Sequence, residues 1–533
     1  FPITLTTGTN DFIGAVTLNS SGTSVSVTDS NALTLAAPAL GANTGITAIA
    51  GTTLTLPAVT NFSTGTGSID FRSNGGTLAT TGTLTTGSGT ITLVGSSGLA
   101  LGHNITSISA DVNLTGGTSG LGVMLQADVN LSGATVTFVS AVNSDSTARA
   151  LTVTGAAVFA GSVGATNSLA SVSVTGNTTI NGGSITTSNS QSYSGAVTLG
   201  TTATLAGSTV TFGNTVNGGG VSRLTVSGNG VFGGAASGLT RLNVSGTTEI
   251  NGGSITTSSI QSYSGAVTLR ATATLAGSTV TFGNTVNGGG VSRLTVSGNA
   301  VFGGAASGLT RLNVSGTTEI NGGSITTSSI QSYSGAVTLR ATAMLTGSTV
   351  TFSNTVNGGG VSRLTVSGNG VFGGAVSGLT RLSVSGTSAI NGGSIGTSSS
   401  QSYGGAVTLG ATATLTGSTV TFGSTVNGGG VSRLTVSGNA VLGGVVSGLT
   451  RLSVSGTSAI NGGSITTSSS QSYSGAVTLG ANTSLTATTV TFGSTVSASP
   501  ASSLSVTGNA TFSGPVSGLT TLSVSGTQVG PPP

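Results

Sequence analysis

Five tyrosines, Tyr193, Tyr263, Tyr333, Tyr403 and Tyr473, are the only ones in a chain of 533 residues, and their spacing never varies. Each lies in a near-copy of one sentence, such as NGGSITTSSSQSYSGAVTLG at residues 461 to 480. A fixed period of this kind constrains the fold more than any composition can. Copies of one supersecondary unit bury their apolar faces against their neighbours, so the chain builds a stack rather than a set of separate globules. No copy then holds a unique site, and the function is expected to lie in the shape.

What stacks here is strand. VTLGTTATLAG begins at Val197, LTVSGNGVFGG at Leu224 and LNVSGTTEING at Leu242; in each the third and ninth residues are apolar and the eleventh is Gly. Apolar and small polar residues alternate with a period of two, which buries one face of a strand. Gly, Asn and Ser interrupt the pattern at short intervals, as turns require. Residues between 58 and 499 include no proline, although the chain has eight. Proline cannot donate to a ladder, so its exclusion marks a long uninterrupted sheet. The three starts, with the next at Val267, predict about three rungs per repeat of about 70 residues. The expected fold is all-β, a parallel β-helix or β-solenoid of roughly 23 rungs and on the order of 110 Å, with equivalent residues of successive copies about 14 Å apart. Residues 1–150 keep this texture without the exact period, and 151–533 carry it; the two are read as irregular and regular stretches of one solenoid.

Composition removes several alternatives. With 36% hydrophobic residues and a mean hydropathy of +0.38, the chain has more to bury than a disordered segment, despite its 92 glycines. Twelve arginines and no lysine stand against eight acids, a surplus of four spread thinly, so nucleic acid is not an expected partner. The absence of Cys rules out disulfides and thiolate metal sites. No apolar run is long enough to span a bilayer, so membrane insertion is not expected. The first residue is Phe, which suggests a processed or excised piece whose targeting signal lies upstream.

The stretches NDFIGAVTLNSSGTSVSVTDSNALTL, GTLTTGSGTITLVG and QSYSGAVTLGATATLTGSTVTFGSTVNG resemble repeats of filamentous haemagglutinin-like exoproteins, Gram-negative surface adhesins of the two-partner-secretion type. The resemblance covers nearly the whole chain. It implies a right-handed parallel β-helix, an extracellular or cell-surface location, and roles in adhesion, aggregation or biofilm-matrix building. The Asn-Pro-rich secretion module of such proteins is missing from this sequence.

The candidate chemistry is sparse. The acids Asp11, Asp29, Asp70, Asp111, Asp128, Asp145, Glu249 and Glu319 are scattered, and only Asp111 and Asp128 are spaced near one presumed turn, so no catalytic pair is expected. His103 is the sole histidine, too little for zinc or for a Ser-His-Asp site. The glycine-rich NGGGVSR and INGGSI carry no Asp, so calcium is not required, and no cofactor is expected. Two arginine series recur, Arg223, Arg293, Arg363, Arg433 and Arg241, Arg311, Arg381, Arg451. They are read as sparse surface columns that either contact anionic polysaccharide or acids of a neighbouring fibre, or interrupt sticky flat faces, the latter being favoured. The five tyrosines have polar neighbours; they either lie on the surface and touch a partner or cap a corner. Glu249 and Glu319 occur only in the copies that also carry Arg270 and Arg340, which predicts cross-rung ion pairs Glu249–Arg270 and Glu319–Arg340. The phenylalanines fall at apolar positions and are expected in the core.

The sequence therefore leads to a non-enzymatic, extracellular structural subunit that stacks head to tail with itself into a filament or matrix fibre. The second reading is the shaft of a large adhesin that mediates attachment through a separate tip.

Overall fold

The computed structural model describes residues 2–58, 61–117 and 122–530. Among them there is no helix; the regular elements are all strands, and they pair in parallel. The fold is a β-solenoid with about 20 residues per turn. It divides into two compact units, Phe1–Gly265 and Ala266–Pro533.

In the first unit, Val25, Ile46, Ile69, Ile91, Val112 and Val136 stand one above the next in register. Each is at most 1% exposed, so inward-pointing aliphatic residues form a continuous column. Burial of such columns is the main favourable term in the fold, at roughly 25 cal/mol per Å² of apolar surface.

The second unit gives the geometry of the repeat. One copy consists of the strands Val267–Leu269, Ala273–Phe282, Val286–Phe302, Ala306–Val314, Thr318–Ile320, Ser324–Thr327 and Ile330–Tyr333. The longer ones run round corners. Ala273–Phe282 shifts register between Ala276 and Thr279 and covers two walls. Val286–Phe302 covers three, because its parts pair with both Ala306–Val314 and Thr318–Ile320. Ala306–Val314 covers two, pairing with Ser324–Thr327 and Ile330–Tyr333. A copy thus contributes eleven wall segments, and each pairs with the segment three further on. Three walls make one turn.

Eleven is not a multiple of three. Each copy advances by three and two-thirds turns, so the next copy begins a third of a turn round the axis. A single column shows it. Val267 lies under Val286, followed by Ala306, Ile325, Leu345, Val366 and Val384. It continues through Tyr403, Phe422, Leu442 and Ile460 to Leu479. The equivalents Val337 and Val407 stand in other columns, and only the strand Val477–Leu479 returns to the wall of Val267. Turn length varies slightly with the corners. One turn carries the chain from Ala300 to Thr318, and a longer one carries it from Leu345 to Val366.

This sharpens the rung count. The steps from Val267 to Leu294 and from Leu312 to Val337 are each one and a third turns, and only the step from Leu294 to Leu312 is a single turn. The periodic motif recurs at different walls because the same inward-outward alternation serves all three. Equivalent residues of successive copies are about 18 Å apart along the axis, not about 14 Å, at a strand spacing of about 4.8 Å.

The corners depend on glycine where backbones approach closely. Gly298 has a φ of +134°, and a Cβ there would lie 1.8 Å from the carbonyl oxygen of Gly277 on the turn below. Only a residue without a side chain fits such a contact.

Candidate functional site

The tyrosines are not surface contacts. Tyr193, Tyr263, Tyr333, Tyr403 and Tyr473 are all fully buried, which corrects the reading of them as a contact column. Alternation decides the matter: in QSY, Gln331 and Tyr333 both point inward and Ser332 points out. Tyr333 stacks on Phe352 with ring centroids 5.6 Å apart, and Phe352 on Phe372 at 5.5 Å. The phenol then needs a partner inside the core, and Gln331, itself 0% exposed, supplies it. Tyr333 Oη donates to Gln331 Oε1 at 2.9 Å, while Gln331 Nε2 donates to the carbonyl oxygens of Ile325 at 2.9 Å and Thr346 at 2.8 Å. The same tyrosine-to-glutamine bond recurs at Tyr193, Tyr403 and Tyr473. Burial pushes all five phenol pKa values upward. These groups are part of the core packing.

The arginines do not form two sparse columns. Arg293 is in register with Arg311 on the adjacent turn, Arg363 with Arg381, and Arg433 with Arg451. The first unit repeats the arrangement with Arg223 and Arg241. The two series are offset by one turn, so they merge into adjacent like-charged pairs. Arg293, Arg363, Arg433, Arg381 and Arg451 are exposed, and Arg311 is half-buried. Each pair stands at the base of a glycine-rich corner. In the first pair of the second unit, Gly289 and Gly290 take φ values of +64° and +88°, and Gly289 N–H donates to Asn287 Oδ1 at 2.9 Å. Ladder register shifts between Asn287 and Ser292, so the loop projects from the wall.

Successive pairs face different ways. Leu294, Leu364 and Leu434, each next to the first arginine of its pair, belong to three different columns of the second unit. That unit therefore shows one arginine pair on each of its three walls, about 18 Å apart along the axis.

Arg340 Nε lies 3.4 Å from Glu319 Oε1 on the turn below, with 64% and 34% of the side chains exposed. An exposed pair of this kind contributes at most about 1 kcal/mol. Glu249 and Arg270 lie in different units. Within the first unit, Glu249 Oε1 accepts from Asn251 Nδ2 at 3.0 Å.

Two of the remaining acids, Asp111 and Asp128, serve the ladder. Asp111 Oδ1 accepts from Thr135 N–H at 3.1 Å, and Asp128 Oδ1 from Ala150 N–H at 2.8 Å. Each carboxylate therefore bridges to the turn above it at Thr135 or Ala150, and the two are too close in sequence to stack one on the other. His103 Nδ1 lies 3.1 Å from the carbonyl oxygen of Thr80 on the turn below. Among the described residues there is no grouping of three or more His, Cys, Asp or Glu that could hold a metal ion, and no helix long and apolar enough to cross a membrane. A groove of about 560 Å³ is lined by small and apolar residues, among them Val94, Thr115, Val139 and Ala141.

No family model, no curated protein and no solved structure matches the chain.

Proposed function

We propose that the protein is a non-catalytic structural element, an extracellular β-solenoid subunit that stacks rung on rung into a filament or matrix fibre. The observation that carries this reading is the unbroken column from Val267 to Leu479, no member of which is more than 1% exposed. A copy adds length and brings no new kind of site. The strand ladder is also its own docking surface, since a parallel strand offers the same hydrogen bonds to any in-register neighbour. Support for a surface or matrix role comes from the resemblance to haemagglutinin-like repeats, which also motivates the second reading, the shaft of a large adhesin.

Negative-stain electron microscopy across a concentration series separates the two. Fibres that lengthen with concentration support the stacking subunit. Separate rods of constant length at every concentration contradict it and favour the shaft.

A further inference from the structure

The charges of the two units differ in a way the fold does not require. Residues 266–533 hold eight arginines and one acid, Glu319; residues 1–265 hold four arginines and seven acids. Six of the eight arginines in the second unit form the three like-charged pairs. Like charges directly opposite one another on neighbouring strands destabilise a sheet. A single arginine would keep a flat wall from sticking to another, so the second in each pair asks for its own explanation. Two arginines in register on adjacent turns, whose backbones are about 4.8 Å apart, can bring both forks of N–H donors to one oxyanion.

A second copy of the chain is a poor source of that anion. Six of the seven acids in the first unit are engaged within it. Asp29 is buried and accepts from Phe12 N–H and Asn31 N–H. Asp70 pairs with Arg72 and Asp145 with Arg149. Asp111 and Asp128 accept backbone N–H groups, and Glu249 accepts from Asn251. Nucleic acid fits poorly too, because its phosphates are tracked by continuous basic stripes and its bases by exposed aromatic rings. Here the pairs are about 18 Å and a third of a turn apart, and the tyrosines are buried.

We propose that each arginine pair clamps a carboxylate or sulfate group of an acidic polysaccharide, and that the three walls of the second unit hold three separate polymer chains. The element then acts as a trivalent cross-linker. A chain lying along one wall meets one pair within the unit, so each contact is weak and the network draws its strength from multivalency.

The test uses the full chain with Arg223 and Arg241 changed to Gln throughout. Short oligomers of polygalacturonate and of dextran sulfate are titrated calorimetrically, and their long forms are followed by light scattering. Neutral dextran and poly(dT) serve as comparisons. The expected stoichiometry is three oligomers per chain, falling to two with R293Q/R311Q and to one when R363Q/R381Q is added, with the affinity of the remaining sites unchanged. Scattering by long polymer persists with two pairs and disappears with one. Binding weakens severalfold between about 0.15 and 0.5 M salt, as exposed charge contacts do. Comparing the two acidic polymers tells whether carboxylate or sulfate is the better ligand. A stoichiometry of one that stays constant while affinity declines means one polymer winding round the axis, and overturns the proposal. So do equal binding of neutral dextran, preference for poly(dT), or binding indifferent to the variants. Scattering by the protein alone reports the self-stacking of the proposed function and is subtracted as the baseline, with the polymer titrations run below the concentration at which it sets in.

Discussion

The two units solve the same problem at their corners, the first with aspartate as well as asparagine (Asn177 and Asn229 accept from Ala196 and Thr247 N–H), the second with asparagine. In the first, Asp111 and Asp128 each accept a backbone N–H from the next turn. In the second, Asn299, Asn369 and Asn439 do this through Oδ1, accepting from Thr317, Thr387 and Thr457 N–H at 2.9 Å. The geometry of the bridge needs an oxygen in the right place, and either residue provides one. Charge is therefore free to vary without disturbing the ladder. The acids of the first unit also serve arginine, as Asp145 Oδ2 does for Arg149 at 2.8 Å, and in the second unit the single acid Glu319 serves Arg340.

Substitutions at the close backbone contacts have the largest expected effect, and they test whether the two units depend alike on glycine. Gly298→Val places a side chain against the Gly277 carbonyl, and Gly155→Val does the same against Gly133 in the first unit, where the gap is again 1.8 Å. Each is expected to cost more than about 3 kcal/mol, read as accelerated amide exchange over the flanking turns. A mild effect at either position would mean that the turns can slide apart.

The glycine-rich loop of the second unit offers the contrast, since a Cβ at Gly290 meets nothing within 4 Å. Gly290→Ala is expected to cost only about 1 kcal/mol, from the positive φ alone.

Tyr333→Phe removes the donor to Gln331 Oε1 and leaves a buried acceptor unpaired, which is expected to cost about 1–2 kcal/mol in chemical denaturation. Buried hydroxyls without partners give the opposite sign. Thr318 and Ser388 each carry one, so Thr318→Val and Ser388→Ala are expected to raise stability by up to about 1 kcal/mol.

Exchanging the bridges sharpens the comparison directly. Asn369→Asp is expected to leave stability at neutral pH within about 0.5 kcal/mol.

The smallest expected effect is a pH response confined to the first unit. Asp145 is held below the usual carboxylate range, first by its hydrogen bond from Arg149 and then by Thr147 N–H. A depressed pKa contributes stability that is present above the unfolded value of about 3.9 and is lost as pH falls through the folded value. Amide exchange near Asp145 should quicken below about pH 4, while the turns carrying Arg363 and Arg381 stay unchanged. Equal acid sensitivity in both regions would break the contrast.

Much of this was legible beforehand. Period-two alternation, glycine and asparagine punctuation and the missing prolines specify stacked parallel strands, and the phenylalanines lie in the core at their apolar phase, as Phe352 and Phe372 do. The length of a turn was hidden. Val267, Leu294 and Leu312 begin similar strings, yet the step from Val267 to Leu294 crosses four walls and the step to Leu312 three. Any wall accepts the same alternation, so similarity of strings does not reveal which wall carries them. The tyrosines were obscured for a related reason. Their serine neighbours suggest a surface, whereas the phase they share with Gln331 and with the apolar positions sends them inward. Phase outranks neighbour polarity in a strand. The arginine pairs follow from the turn length and become visible only with it.

The central claim is that a copy spans three and two-thirds turns, and the absence of cysteine makes it directly testable. Thr295 is in register with Thr274 on the turn below, whereas a rung running from Val267 to Leu294 would place it over Thr268. Two double-cysteine variants, Thr274→Cys with Thr295→Cys and Thr268→Cys with Thr295→Cys, are oxidised and scored for intrachain disulfides, which require Cα atoms within about 7 Å. The account predicts rapid bonding in the first variant and none in the second. Bonding in the second and not the first would contradict it, and with it the distribution of the arginine pairs over three walls.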